Sequence, residues 1–297
     1  MNKLVCIVGT NASGKSGLGI ELALHYDADI VSADSRQVFT GLDLGSGKVT
    51  KEEMKGVKHY LIDVAKPNDF YSLSHFQKQA YDAIDEIHAK GRKAFLVGGT
   101  GLYVNAVVDG YDLTDAAPDL AIRSIIGQKS HDELIALIKE HDPGALSSLD
   151  LKNKRRLERA AERALSSDKR ERHNQKRYDS LLIGVTYPRQ ELYERIKVRL
   201  DKRIAEGMIE EVEELRKCGA SDDFLYRLGL EYRYIQMYLR GEFDSYEAFY
   251  DKLFMEIRHL AKEQMTWFRK RRDINWIDMK NDPAGQCIRL IDAFYAS

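Results

Sequence analysis

Short apolar runs recur along the first part of the chain, and amphipathic helical patterns separate them. The runs suit buried parallel strands and cover residues 4–8, 29–33, 59–64, 93–97 and 181–186. Helical periodicity is clearest at residues 15–26 and 73–90. Because strand and helix patterns alternate at this pace, the sequence predicts a doubly wound α/β sheet.

The pattern changes after residue 108. Residues 118–177 contain no strand candidate, and their apolar positions follow a helical period, for example at 132–140 and 151–165. We therefore predict an all-helical insertion within an α/β core. The predicted parts are a first core half at 1–115, the insertion at 116–179 and a second, mainly helical core half at 180–297, with 274–277 as a candidate edge strand.

The sequence GTNASGKS follows the first apolar run and precedes the first helical pattern. Gly9, Gly14, Lys15 and Ser16 fill the GxxxxGK[ST] template in the strand-to-helix context that this motif requires. Its glycines allow backbone N–H groups to surround a phosphate, the lysine adds a charge, and the Ser16 hydroxyl is a usual Mg²⁺ ligand. The fold class predicted is thus a P-loop NTPase-like parallel sheet flanked by helices.

The motif indicates a polyphosphate but not which one. In NTPases and kinases an acidic residue at the end of another strand helps to hold Mg²⁺. The best candidate strand here reads AFLVGGTGLY and ends in Gly98, Gly99 and Thr100, without an acid. We infer that the phosphate chemistry differs from NTP hydrolysis.

A carboxylate follows the second predicted strand, in the segment DIVSADSRQVF. Carboxyl ends of parallel strands line one crevice, so Asp34 is expected to face the cleft beside the phosphate loop. An aspartate here also suits the capping of the next turn. Position alone does not separate these two interpretations.

Charge is unevenly distributed. The formal net charge is -1, yet residues 152–177 carry 11 Lys or Arg against 4 acidic residues, and residues 258–272 carry 6 against 1. One such run is typical of a solvated helix face, whereas two on an acidic body favour a polyanionic partner.

Other global features exclude several classes of protein. No apolar stretch reaches the about 18 residues of a membrane span, and the start of the chain has no pattern of a targeting peptide, so we expect a cytoplasmic protein. Cys6, Cys218 and Cys287 have spacings that suit neither disulfides nor zinc. A monomer is the default expectation.

Five segments in co-linear order resemble the tRNA dimethylallyltransferases, also called tRNA isopentenyltransferases. They are GTNASGKS at 9–16, DSRQVFTGLDLGSGKV at 34–49, VGGTGLY at 97–103, RLERAAE at 156–162 and AKEQMTWFR at 261–269. The resemblance spans residues 4 to about 278. It implies transfer of a dimethylallyl group from dimethylallyl diphosphate to N6 of adenosine 37 in a tRNA anticodon loop, with release of diphosphate and with Mg²⁺ as cofactor.

The resemblance also implies roles for individual residues. Asp34 would be the base, with Thr100 and Lys15 as further catalytic groups and Ser16 as the metal ligand. The diphosphate would lie against Gly9, Asn11, Ala12, Ser13, Gly14, Lys15 and Ser16. The tRNA would contact Asp34, Ser35, Arg36, Gln37, Thr100, Arg123, Arg155, Arg156 and Arg159.

Several positions depart from the family pattern. Thr10 and Asn11 replace Pro-Thr, and we expect the Asn11 side chain to act as a substitute donor to the diphosphate. Phe39 replaces a tyrosine, Glu263 replaces an arginine, and the usual AIGYKE segment reads RLGLEYRYI at 227–235. The divergence at 227–235 suggests an altered tRNA preference.

Three alternatives stay open at this point. An adenylate isopentenyltransferase would share the chemistry and act on free AMP, ADP or ATP, but has little use for a basic helical insertion. A small-molecule P-loop kinase would not carry VGGTGLY or AKEQMTWFR. A non-enzymatic RNA-binding protein with a relict loop is disfavoured by intact Lys15, Ser16 and Asp34.

Overall fold

The computed structural model describes residues 1–113, 119–166 and 173–297, and these form two compact units. One unit combines Met1–Tyr111 with Asn174–Ser297, and the other is Asp112–His173. The second unit therefore ends earlier than the insertion predicted at 116–179. The reason is local: the Gln175 N–H donates to the Gly110 carbonyl at 2.9 Å, and Tyr178 is buried in the core of the first unit.

The described residues of the first unit contain one sheet of six parallel strands in the order β3-β2-β4-β1-β5-β6. The strands are β1 (Lys3–Gly9), β2 (Ala28–Ser32), β3 (His59–Tyr60), β4 (Lys93–Gly98), β5 (Asp179–Thr186) and β6 (Ile274–Asp278). The predicted parallel sheet is confirmed, including its edge strand β6. Strand β3 is shorter than predicted because Leu61 and Asp63 have φ angles of 61° and 57°, which extended backbone does not allow.

Helices of the first unit cover both faces of this sheet. They are α1 (Lys15–Tyr26), α2 (Lys51–Met54), α3 (Leu73–Ala89), α4 (Gly101–Val108), α8 (Arg189–Ala205), α9 (Met208–Lys217), α10 (Asp222–Leu228), α11 (Leu230–Leu239), α12 (Tyr246–Arg269) and α13 (Pro283–Ala296). The second unit contains α5 (Leu120–Gly127), α6 (His131–His141), a 3₁₀ helix (Pro143–Ser148) and α7 (Lys154–Leu165).

Alternation of side chains along β1 explains the two helical layers. Val5 and Ile7 pack with α1 and α13, whereas Leu4, Cys6 and Val8 pack on the opposite face with α3 and α4. All five side chains are fully buried. Burial of each large aliphatic side chain stabilises the fold by about 1.5–3 kcal/mol, so this central strand fixes both layers.

A separate cluster joins helices α8 to α12. Tyr232, Phe249 and Leu253 are completely buried in it, and they pack with Ile196 and Leu200 of α8. The hydroxyl of Tyr232 donates to Glu211 of α9 at 3.1 Å. This cluster holds α8 against the carboxyl edge of the sheet, where the GTNASGKS segment, the predicted phosphate loop, also lies.

The second unit has its own small core. Leu134 and Ile138 of α6 pack against Leu157, Ala160 and Ala161 of α7. Helix α7 begins at Lys154 rather than at residue 151, because the Asn153 side chain accepts the Arg156 N–H and caps the helix there.

Candidate active site

The predicted phosphate loop lies between β1 and α1, as the motif requires. Gly14 ends the loop with φ 82°, a left-handed conformation that glycine adopts without strain. A β-carbon at Gly9 would come within 2.9 Å of Val185, so that position also needs a glycine. Because Gly14 has no side chain to cap α1, the first amides of this helix are left for an anion.

A cavity of about 920 Å³ of atom-free space, part of it open to solvent, borders this loop. Its walls are formed by the phosphate loop with the start of α1, β2 with the segment after it, the 46–49 segment, parts of β3 and β4, and helices α8, α11 and α12. The charged or polar residues of the walls include Asn11, Lys15, Ser16, Asp34, Arg36, Gln37, Arg199, Arg203, Glu231 and Gln264.

Asp34 lies in this cavity together with Lys15 and Ser16, as the strand topology predicts. One of its oxygens, Oδ1, also accepts the N–H groups of Arg36 at 3.0 Å and Gln37 at 3.4 Å. Both interpretations of the sequence therefore apply: Asp34 shapes the turn that follows and presents its carboxylate to the cavity.

Thr100 is fixed to the same segment. Its Oγ1 accepts the Ser35 N–H at 3.1 Å, and its own N–H donates to the Ala33 carbonyl at 3.2 Å. The loops that follow β2 and β4 thus form one hydrogen-bonded unit beside the phosphate loop. The sequence analysis identified the two loops as separate motifs and did not predict the hydrogen bonds between them.

Lys15 is half-buried, and its Nζ donates to the Thr10 carbonyl at 3.2 Å. Desolvation, together with the nearby Arg199, lowers the pKa of Lys15 to about 8, although Asp34 opposes the shift. Burial, with Arg203 next to it, also lowers the pKa of Arg199 to about 10. Cations held this close together and partly removed from solvent favour a bound polyanion.

Arg199, Arg203, Glu231 and Gln264 were not predicted as site residues. In α8 the side chains of Ile196, Arg199, Leu200 and Arg203 follow the i, i+3, i+4, i+7 spacing and line the cavity together. In the sequence, two arginines interrupt an otherwise apolar stripe of this helix, and that pattern could have indicated that they face a polar site.

Gln264 of α12 joins two loops of the site. Its Oε1 accepts the Asn11 N–H at 2.8 Å, and its Nε2 donates to the Gly99 carbonyl at 3.0 Å. The Asn11 Nδ2 donates to the Ile257 carbonyl at 3.3 Å. The Asn11 N–H and one hydrogen of its Nδ2 are thus engaged within the protein, which leaves the second Nδ2 hydrogen for the predicted donation to diphosphate.

The predicted tRNA contacts Arg123, Arg155, Arg156 and Arg159 belong to the second unit. Arg123 pairs with Glu162 at 2.6 Å, and Arg159 Nη1 lies 3.4 Å from the same carboxylate. Arg156 lies 3.9 Å from Asp150. Arg155, Arg156 and Arg159 of α7 are exposed, which leaves them accessible to a polyanion.

The second basic run is used partly inside the first unit. Arg271 pairs with Asp109 at 2.7 Å and with Asp273 at 2.6 Å. The Arg258 guanidinium lies 4.2 Å from the centre of the Tyr193 ring. These two cations therefore have partners within the protein. The number of positive charges in the run is larger than the number that a ligand could contact.

The fold and the cavity define a class of α/β protein in which a phosphate-loop motif, a set of buried cations and one carboxylate meet at the carboxyl edge of a parallel sheet. The IPP transferase family model matches residues 37–271. The chain belongs to the IPP transferase family, and the predicted family membership is confirmed.

Individual relatives agree with this assignment. Identity is 39% to tRNA dimethylallyltransferase 2 of Citrifermentans bemidjiense, over 97% of this chain and 94% of the relative. It is 37% to the tRNA dimethylallyltransferase of Acetivibrio thermocellus, over 94% and 92%.

Solved structures give the same result. The tRNA isopentenylpyrophosphate transferase of Bacillus halodurans matches with a TM-score of 0.75 and 36% identity, over 100% of this chain and 96% of that one. A eukaryotic dimethylallyltransferase acting on tRNA matches with a TM-score of 0.85 at 20% identity, over 100% and 80%, and supports the fold. In the part of the chain that the structure describes, no helix is long and apolar enough to cross a membrane.

Proposed function

We propose that this chain is a tRNA dimethylallyltransferase, which moves a dimethylallyl group from dimethylallyl diphosphate to N6 of adenosine 37 and releases diphosphate. One observation carries the proposal: the cavity places the cations Lys15, Arg199 and Arg203 in the same walls as the carboxylate of Asp34. The cations suit the binding of a diphosphate leaving group, and the carboxylate suits the role of proton acceptor. Membership of the family adds the tRNA, which its relatives carry in their names.

The donor reacts at its allylic carbon. The carbon–oxygen bond breaks, its electron pair goes to the diphosphate, and negative charge grows on the departing oxygens. Lys15, Arg199 and the amides at the start of α1 stabilise this charge from positions that the fold fixes in advance. Such stabilisation acts on the transition state and therefore raises the rate.

Mg²⁺, when bound, would neutralise part of the diphosphate charge, with the Ser16 hydroxyl as its protein ligand. The Ser16 hydroxyl is a hard oxygen donor in the cavity wall and suits this ion, which usually takes few protein ligands beside phosphate oxygens.

The acceptor nitrogen needs a base. Adenine N6 has a lone pair delocalised into the ring, and its proton becomes acidic as the new carbon–nitrogen bond forms. The Asp34 carboxylate accepts a hydrogen bond from N6 and then takes this proton. Thr100, bonded to the Ser35 N–H, holds the segment that carries Asp34.

The adenine must leave the anticodon stack before it can enter the cavity. Ser35, Arg36 and Gln37 follow Asp34 directly and are proposed to contact the flanking nucleotides. Arg123, Arg155, Arg156 and Arg159 of the second unit are proposed to bind RNA phosphates, which position the anticodon loop without reading its sequence.

Prenylation of free adenylate is the alternative acceptor chemistry, and nothing among the relatives favours it. The test offers purified protein dimethylallyl diphosphate with either an unmodified anticodon stem-loop or AMP, and analyses the nucleosides by mass spectrometry. We expect N6-prenyladenosine in the RNA alone. Prenylated AMP with unmodified RNA would overturn the acceptor assignment, and no product from either would overturn the reaction.

A further inference from the structure

Two arginines of α8 meet at one glycine. The Nη2 atoms of Arg203 and Arg199 lie 1.4 Å and 1.9 Å from the point that a β-carbon on Gly47 would occupy. The two nitrogens are therefore no farther apart than the sum of these distances, which is close to van der Waals contact. Like charges at this separation repel each other unless an anion lies beside them.

The two Nη2 groups differ in their partners. Arg199 Nη2 donates to the Gly47 carbonyl at 3.4 Å, a long and weak hydrogen bond. Arg203 Nη2 is buried and has no hydrogen-bond partner among the described residues. An unsatisfied buried donor on a charged group is costly, so this atom has the character of one that awaits a ligand.

Glu231 provides the counter-charge. It is buried, with 6% of its side chain exposed, and its Oε1 lies 3.5 Å from Arg203 Nη1. Its Oε2 accepts Arg36 Nη1 at 2.7 Å. One carboxylate from α11 thus holds two guanidinium groups by their Nη1 atoms, and it leaves Arg203 Nη2 turned toward Arg199.

We propose that Arg203 is a further ligand for phosphoryl oxygens in the cavity, paired with Arg199 above Gly47, and that Glu231 is the residue that positions it. The donor's diphosphate is the source to which we commit. Lys15 of the phosphate loop is electrostatically coupled to both arginines, and among its charged neighbours Arg199 is the strongest. This inference rests on the proposed function, because it assumes that a diphosphate occupies this cavity.

The experiment measures binding of inorganic diphosphate with Mg²⁺ by calorimetry to the wild type and to Arg203→Met, which keeps much of the length and loses the charge. Loss of a charge-assisted hydrogen bond predicts affinity lower by about tenfold to a hundredfold. Lys202→Met is the matched control, since Lys202 is the next residue of α8 and 69% of its side chain is exposed. We expect the control to bind as the wild type does.

Arg203→Lys keeps the proposal testable if the methionine variant fails to fold. It retains the charge but cannot present two nitrogens in a fixed fork, so an intermediate loss of affinity is expected. Thermal unfolding without ligand checks that each variant is folded. In steady state, either change should raise the KM for the donor much more than the KM for tRNA, a split that a merely structural defect would not produce.

Glu231→Gln separates positioning from simple charge. If Glu231 only repelled the anion, its neutralisation would tighten diphosphate binding. If it positions Arg203, binding weakens, and Arg203→Met has a smaller effect in the Glu231→Gln background than alone. Tighter binding in Glu231→Gln, or fully additive effects of the two changes, would reject the positioning role.

Two further results would overturn the assignment of Arg203. The first is unchanged diphosphate affinity in Arg203→Met while Lys15→Met loses it, which would leave the proposed function intact. The second is unchanged diphosphate affinity with weaker binding of an anticodon stem-loop, which would identify an RNA phosphate as the source. A wild-type protein that binds no diphosphate would instead count against the proposed function itself.

Discussion

Cations occur in the two units of the chain in opposite settings. Lys15, Arg199 and Arg203 of the first unit are largely buried, and together they outnumber the carboxylates near them. Arg156 and Arg159 of the second unit are exposed, and each has a carboxylate within 4.0 Å. Buried charge without full pairing costs stability unless a ligand repays it, whereas exposed pairs contribute little either way. The first arrangement suits a bound anion, and the second suits the RNA phosphates proposed to bind there.

The largest expected effect concerns the acid that accompanies the buried cations. Asp34→Asn retains an oxygen that can cap the following turn but cannot take a proton, so single-turnover prenylation should slow by about 10²- to 10⁴-fold. Binding of an anticodon stem-loop should change little. Asp69→Asn is the matched control, because Asp69 also caps a turn, at Lys66. Near wild-type rates in Asp34→Asn would remove it as the base.

Removal of one buried cation comes next. Lys15→Met deletes a charge that faces the departing diphosphate, and loss of one such donor lowers rates by about 10²- to 10³-fold. The exposed Lys51→Met serves as control. Diphosphate affinity measured by calorimetry should fall as well, and a variant that loses turnover but binds diphosphate normally would contradict the assigned role.

The exposed cations should act more weakly and depend on salt. The test changes three residues together to Gln: Arg155, Arg156 and Arg159. Stem-loop affinity should fall by about tenfold or more at low salt. The slope of log affinity against log salt concentration should become shallower by the amount expected for about three phosphate contacts. Binding of diphosphate should not change. The control is Lys139→Gln, on a different helix of the same unit. RNA affinity equal to that of the wild type would make this surface an ordinary solvated helix face.

The smallest expected effect is a pH dependence. The lowered pKa of about 8 means that Lys15 is protonated at pH 7 and mostly neutral at pH 9, while Arg199, with a pKa of about 10, stays largely charged. Diphosphate affinity should therefore fall several-fold as the pH rises from 7 to 9. Diphosphate also changes its protonation in this pH range, and the Lys15→Met variant measures the pH dependence that the ligand alone causes. The same pH dependence in both proteins would show that Lys15 is not its cause.

The sheet and the first loop could be predicted because local patterns determine them. Strands β1 and β4 are short apolar runs that each end in a glycine, and the GTNASGKS sequence requires a strand before it and a helix after it. The predicted strand at 59–64 is too long, because an apolar pattern does not reveal the positive φ angles of Leu61 and Asp63 that end β3. The limits of the second unit were missed by a few residues, since Tyr178 returns to the sheet core through tertiary packing.

Half of the candidate site could not be predicted in the same way. Asp34 and Thr100 lie at strand ends, where topology alone brings side chains together. Arg203 and Glu231 come from α8 and α11, and their proximity depends on how two distant helices pack around Tyr232. The amide orientation of Asn11 is likewise set by Ile257, far along the chain.

Gly47 limits how this protein can vary. A methyl group at that position would overlap both guanidinium groups, so a larger residue there requires the ends of these two flexible side chains to move, and a shorter residue at 203 removes part of that requirement. Its φ of 63° adds a second barrier, which asparagine tolerates better than alanine. A library of variants at residues 47 and 203 should therefore reveal epistasis, with side chains at 47 accepted mainly where the arginine at 203 has become short.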